Sequence, residues 1–215
     1  SGLVQGFLGF AFSLVAMTML PSIIGFKDAV TFMALMNLTA MALAVYWTKG
    51  GFSWKEAKTM IIGGVIGVPI GVYIIVSFDE RILIFLFGVL LVLMPVNHFI
   101  LSRDRTKEAS RYWEFPVGLM SGTLAGGFNM GGPPVVAYVY SKNWELNKTK
   151  SVMAAVYLTT AVMRLFFVGV TGKDFGSILG LYLAIVLPMA GALRFGIYLG
   201  AKISLAHLKA VVFIY

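Results

Sequence analysis

Residues Gly118 to Tyr140 read GLMSGTLAGGFNMGGPPVVAYVY, and the rest of the chain is organised around them. The stretch is apolar enough to enter a bilayer, yet it carries Gly126, Gly127, Gly131, Gly132, Pro133 and Pro134 where a plain transmembrane helix would be continuous. Glycine adopts conformations closed to other residues, and each proline lacks an N–H and disfavours helical geometry in the residue before it. Met130 to Pro134 is therefore expected to interrupt the backbone hydrogen-bond ladder. Within a membrane such backbone is tolerated only where protein or a water-filled cavity satisfies it. The freed N–H groups of Asn129, Met130, Gly131 and Gly132, with a helix restarting at Pro133, predict an anion-binding site at a helix N-terminus. A kink that merely improves packing is the plainer reading, but two Gly-Gly pairs and a Pro-Pro exceed what packing needs.

Working outward, the 215 residues are 59% hydrophobic and only 12% charged, with a mean hydropathy of +0.89. Apolar runs recur from end to end, which defines an integral membrane protein lying in a lipid bilayer. The runs are Gly2–Phe26, Ala29–Trp47, Thr59–Ser77, Ile82–Leu101, the opening stretch, Ser151–Gly172, Phe175–Ala201 and a final run from Ser204. With no cysteine and two isolated histidines, disulfides and thiol catalysis are excluded and a metal site is not expected. The net charge of +8 is read as loop charge that orients a membrane protein, not as a nucleic-acid surface. The chain begins at Ser1 and stops within AVVFIY, so a trimmed chain with a truncated last span is expected.

The sequence repeats. GLVQGFLGFAF from Gly2 resembles GLMSGTLAGGF from Gly118, and GVYIIVSFDERIL from Gly71 parallels GIYLGAKISLAHL from Gly196. Duplication of this kind builds many secondary transporters. Loop charge argues for orientation. If both broken segments leave the membrane on the side from which they entered, Lys27, Arg81 and Lys173 lie on one face and twelve basic residues on the other. That asymmetry obeys the positive-inside tendency. The expected fold is therefore all-α and polytopic, with two inverted repeats, each a broken or re-entrant helical segment plus three transmembrane helices. Residues 1–101 form the first repeat, 102–113 a basic cytoplasmic loop and 114–215 the second repeat.

Arg164 lies within a hydrophobic run and Arg194 between Pro188 and the end of the next. A buried arginine costs on the order of 2.5–3.5 kcal/mol even on insertion-based scales, so each should face a cavity or a partner. The guanidinium is permanently charged and forks onto oxyanions. Asp and Glu all fall at or near turns, leaving a pathway with fixed positive charge. Arg194 has the alternative of snorkelling to the interface. Asn37 and Gln5 are polar groups in apolar runs, read first as helix-to-helix hydrogen-bond partners and second as ligand contacts. Gly63, Gly67 and Gly71 make one smooth helix face for close packing. No nucleophile-base set, paired intramembrane carboxylates or phosphate loop is present, so an enzyme is not expected.

The stretch from Gly118 to Tyr140 resembles the second-repeat signature of the TauE/SafE sulfite-exporter family, also called the toluene-sulfonate uptake permeases. The specific part is Gly131, Gly132, Pro133, Pro134; the duplicated halves, central basic loop and GAKIS at Gly200 to Ser204 extend the resemblance over nearly the whole chain. FAFSLVAMTMLP in the first repeat lacks the glycine cluster usual there, and Arg194 stands where the family pattern has a small or apolar residue. The resemblance implies a carrier in the cell inner membrane for small sulfur-containing anions such as sulfite, sulfonates or sulfoacetate. An anion channel and a non-transporting receptor or assembly subunit are the alternatives. A coupling proton or other ion and a homo-oligomeric state are left open; His98, near the end of its run, is read first as an interfacial histidine and second as a proton relay, because histidine titrates near neutrality.

Overall fold

The computed structural model describes residues 12–48, 54–89, 110–142, 144–170 and 176–200. Every regular element among these residues is helical. Helix α1 (Phe12–Met19) meets α2 (Pro21–Ile24), a single turn, at Leu20, and α3 (Phe26–Thr48) and α4 (Trp54–Ser77) follow. Helix α5 covers 80–89. A 3-10 turn (Arg111–Trp113) leads into α6 (Glu114–Phe128), then α7 (Gly132–Ser141), α8 (Leu146–Val170) and α9 (Gly176–Gly200). Four helices are long and apolar enough to cross a membrane, with candidate spans Phe26–Leu43, Trp54–Ser77, Lys148–Gly169 and Leu179–Gly196. This is a multi-pass, all-α membrane fold. Gln5, His98, the first-half repeat from Gly2, most of the basic loop and the final run from Ser204 lie outside the described residues.

The helices start where the sequence permits. Gly25 has a φ of 80°, which only glycine adopts cheaply, and it turns the chain from α2 into α3. The Phe26 N–H, orphaned at the start of α3, donates to the Glu80 carboxylate; an acidic group there also complements the helix dipole.

Helices α4 and α6 run parallel along the closest seam of the fold. A Cβ built on Gly63, Gly67 or Gly71 would lie 2.4, 2.2 and 2.1 Å from the carbonyl oxygens of Phe115, Leu119 and Thr123. In return, one on Gly118, Gly122 or Gly126 would lie 2.1, 2.2 and 2.3 Å from those of Met60, Gly64 and Val68. The expected smooth face on α4 thus meets a second one on α6, and the two backbones touch. Helix α8 lies along α4 in the same direction: Lys148 pairs with Glu56 at 3.0 Å, and Val168 packs with Val68 and Val72. Helix α3 runs antiparallel to α8, since Arg164 bonds Val30 while Met41 clusters with Val152 and Met153.

The bundle therefore has a Trp54 end, where α4, α6 and α8 begin, and a Phe26 end, where α3 begins. Besides the Val68, Val72 and Val168 group, two larger apolar clusters lie among the described residues. One joins α4, α7 and α8 around Met60, Val135, Val139 and Val156. The other joins α3, α6 and α9 around Phe26, Met33, Phe128 and Leu193, with Phe26, Phe87 and Phe128 meeting ring to ring at 5.8–6.3 Å.

Candidate functional site

The helix break occurs where the glycines and prolines predict it. Helix α6 ends at Phe128, Asn129 takes the left-handed conformation (φ 61°, ψ 23°), and α7 restarts at Gly132 with Gly131 as its N-cap. Asparagine tolerates this conformation better than other non-glycine residues. The chain then folds back. Ser121 Oγ donates to the Gly131 carbonyl at 2.6 Å, and Tyr138 Oη donates to Glu114 Oε1 at 3.2 Å, so α6 and α7 form a hairpin whose open ends are tied at the Trp54 end.

The break, α3 and α8 enclose a cavity of about 50 Å³. That exceeds the ~10–15 Å³ a single water needs. From the break come Asn129, Gly131 and Gly132; α3 contributes Asn37, and one face of α8 contributes Tyr157, Thr160 and Arg164. Asn37 Nδ2 donates to Asn129 Oδ1 at 2.9 Å, so Asn37 is at once a helix-to-helix contact and part of the lining. Tyr157 Oη donates to the Gly132 carbonyl at 2.9 Å and holds the start of α7.

Arg164 is 1% exposed. Its Nη2 donates to the Val30 carbonyl at 3.3 Å, whereas Nε and Nη1 have no hydrogen-bond partner, and neither has Asn129 Nδ2. Three buried donors without acceptors are unusual in a folded protein, because each forfeits its hydration without recompense. The arrangement can bind an acceptor-rich anion.

Two expectations are corrected. The N–H groups of Asn129 and Met130 are not free: they donate to the Ala125 and Leu124 carbonyls at 3.1 Å each, closing the end of α6. The Asn129 N–H completes the last i→i−4 bond of α6, and left-handed Asn129 turns the Met130 N–H back toward the helix. Among the described residues this leaves Gly131 and Gly132 as the N–H donors of the break, since Pro133 and Pro134 carry none. Arg194 is not at the cavity; it is exposed on α9, as a helix face that hydropathy cannot assign. Met130 sits in the apolar cluster with Phe128, its side chain away from the lining, and Pro133 is absent from the lining as well. Tyr157, Thr160 and Ser121 were not anticipated. The spacing of Tyr157, Thr160 and Arg164, three and seven residues along α8, places them on one face and was a usable signal.

The protein is a multi-pass helical membrane protein, and its helix broken beside an arginine-bearing cavity is a feature it has in common with many membrane transporters. The model of one family, Sulfite exporter TauE/SafE, matches residues 1–215. The chain belongs to the TauE/SafE family, whose members are transporters and not enzymes. No curated protein matches the chain, and no solved structure does.

Proposed function

We propose that this protein is a secondary transporter that exports small sulfur-containing anions, sulfite, sulfonates or sulfoacetate, across the cell inner membrane. The observation that carries the reading is the set of unpartnered buried donors, Arg164 Nε and Nη1 with Asn129 Nδ2, at a cavity beside a helix break. An oxyanion would satisfy all three, joined by the N–H groups of Gly131 and Gly132. Charge on Arg164, with only a long bond to Val30 to compensate it, makes anion binding the way to recover part of its desolvation cost.

The membrane architecture follows the same reasoning. With 15 residues, α6 is about 22 Å long, short of the roughly 30 Å hydrocarbon core. The fold-back of α7 supports a hairpin that enters and leaves on one side, with the 102–113 loop and the Trp54 end cytoplasmic. Antiparallel α3 and α8, the first long helices after the two broken segments, support inverted repeats divided as 1–101 and 114–215. Access to the anion would alternate by rocking of the halves.

The test is a thermal-shift and binding screen of sulfite, sulfonates and sulfoacetate on the wild type and Arg164→Ala, followed by flux in reconstituted vesicles. Stabilisation of the wild type alone, with saturable counterflow, is expected. No stabilisation by any anion, or an unchanged response in the variant, rejects the assignment of Arg164; flux without saturation identifies a channel.

A further inference from the structure

We infer that a second anion chamber lies in series with the first, between α3, α4 and α8 at the Phe26 end, and that the Arg164 guanidinium is the partition between the two. The inference rests on the anion-transport reading above. The chamber has a volume of about 220 Å³ and is lined by Lys27, Val30 and Thr31 of α3, by Val72 and Val76 of α4, and by Val168 of α8.

The two cavities share their helix faces. Along α3, Lys27, Val30 and Thr31 are followed by Asn37 and Met41 in the first cavity, at spacings that keep one face. Along α8, Val168 lies one turn beyond Arg164 on the face that also carries Tyr157 and Thr160. Because α3 and α8 are antiparallel, both helices present the same groove to both cavities. What lies between is the bond from Arg164 Nη2 to the Val30 carbonyl, 3.3 Å long. A charge-assisted bond is normally nearer 2.7–2.9 Å, so this one is loose and open to exchange. An oxyanion engaging Nε and Nη1 competes for the guanidinium and draws it off Val30, which opens the groove.

Lys27 gives the outer chamber its sign. It lines a cavity with valine walls, and a charge between low-dielectric walls concentrates counter-ions. The nearby carboxylate of Glu80 is engaged by the Phe26 N–H, and neither it nor Asp28 lines the chamber. The expected occupant is the same compact anion that the first cavity takes, held less tightly.

The chain contains no cysteine, so single cysteines report cleanly. Thr31→Cys in reconstituted vesicles is treated with an anionic sulfonatoethyl or a cationic trimethylammonium methanethiosulfonate. Both should react from the Phe26 side, the anionic reagent faster, and Lys27→Gln should reduce that preference roughly threefold. Ala161→Cys, in the first cavity, should react from the Phe26 side about tenfold faster when Arg164→Gln removes the partition. If Arg164→Gln does not fold, Val76→Trp supplies the check by filling the chamber and slowing Thr31→Cys about tenfold. Unreactive Thr31→Cys would mean a lipid-filled crevice and overturn the proposal, as would a preference untouched by Lys27→Gln. An Ala161→Cys rate indifferent to Arg164→Gln overturns the partition. These rates do not depend on transport. Labelling as expected without anion flux sinks the transport reading alone; flux with an unreactive Thr31→Cys sinks the outer chamber alone.

Discussion

Helix α6 takes part in two interfaces built from one run of small residues. Toward α4 it presents Gly118, Gly122 and Gly126, and the helix backbones approach until no side chain fits between them. One residue before each glycine of the last two, Ser121 and Ala125 lead to Asn129, and here the helix faces the hairpin partner and the cavity. The first interface is backbone packed directly against backbone. At the second, polar groups gather and three donors are left without acceptors. A membrane protein gains little from burying apolar surface against lipid-like surface, so tight backbone packing supplies cohesion. That cohesion offsets the cost of leaving donors unsatisfied on the neighbouring face, as the proposed anion site requires.

The largest expected effect is on the seam. Gly122→Leu would thrust its side chain at the Gly64 carbonyl, only 2.2 Å from the first added carbon, and backbone on both sides cannot give way. Folded, monodisperse protein should be lost in size-exclusion chromatography. Recovery of the variant with a normal melting temperature would mean that the seam is not what holds α6.

Arg164→Ala should reverse that pattern: anion binding weakened at least about tenfold, or 1.4 kcal/mol, with thermal stability kept or raised because an uncompensated charge leaves the interior. A variant that fails to fold while Gly122→Leu folds would exchange the roles given to the two interfaces.

Asn129 separates conformation from chemistry. Asn129→Gly keeps the left-handed turn and removes the amide, so anion affinity should fall a few fold while the melting temperature drops only by the lost bond from Asn37. Asn129→Ala should also lose about 1 kcal/mol of stability, because alanine resists that conformation. Equal melting temperatures for the two variants would show that the turn is not under conformational control.

Smallest is the Lys148–Glu56 pair at the Trp54 end, where both side chains are partly exposed. Lys148→Ala should cost no more than about 1 kcal/mol and leave binding unchanged. A strong loss of binding would extend the site to that rim.

Much of this was legible in the sequence because membrane folding writes its constraints coarsely. Hydropathy placed α3, α4, α8 and α9 to within a few residues, and Gly131, Gly132, Pro133 and Pro134 marked the break, since those residues have few other uses within an apolar run. Arg164 was conspicuous because charge at that depth is expensive. Less legible was anything that depends on rotation about a helix axis. Arg194 and Arg164 look alike in hydropathy, but one is exposed on α9 and the other enclosed. The Asn129 N–H is spent on the last helical bond of α6, and that of Met130 is spent because a single residue turns left-handed, a dihedral choice that composition does not report. The partner face for Gly63, Gly67 and Gly71 was present in the same glycine spacing on α6, but only the parallel packing of the helices identifies it.

The carbonyl oxygens of the break have a consequence for sign selectivity. In other carriers, unwound backbone at a discontinuous helix offers oxygens to sodium. Here the Gly131 carbonyl takes the Ser121 hydroxyl, the Gly132 carbonyl takes the Tyr157 hydroxyl, and the Val30 carbonyl takes Arg164. Each of these three oxygens already has a donor, while the buried groups left without partners beside them are N–H donors of Arg164 and Asn129. These three carbonyls are thereby withdrawn from cation coordination, so the polarity that this side of the cavity offers a ligand is that of its donors.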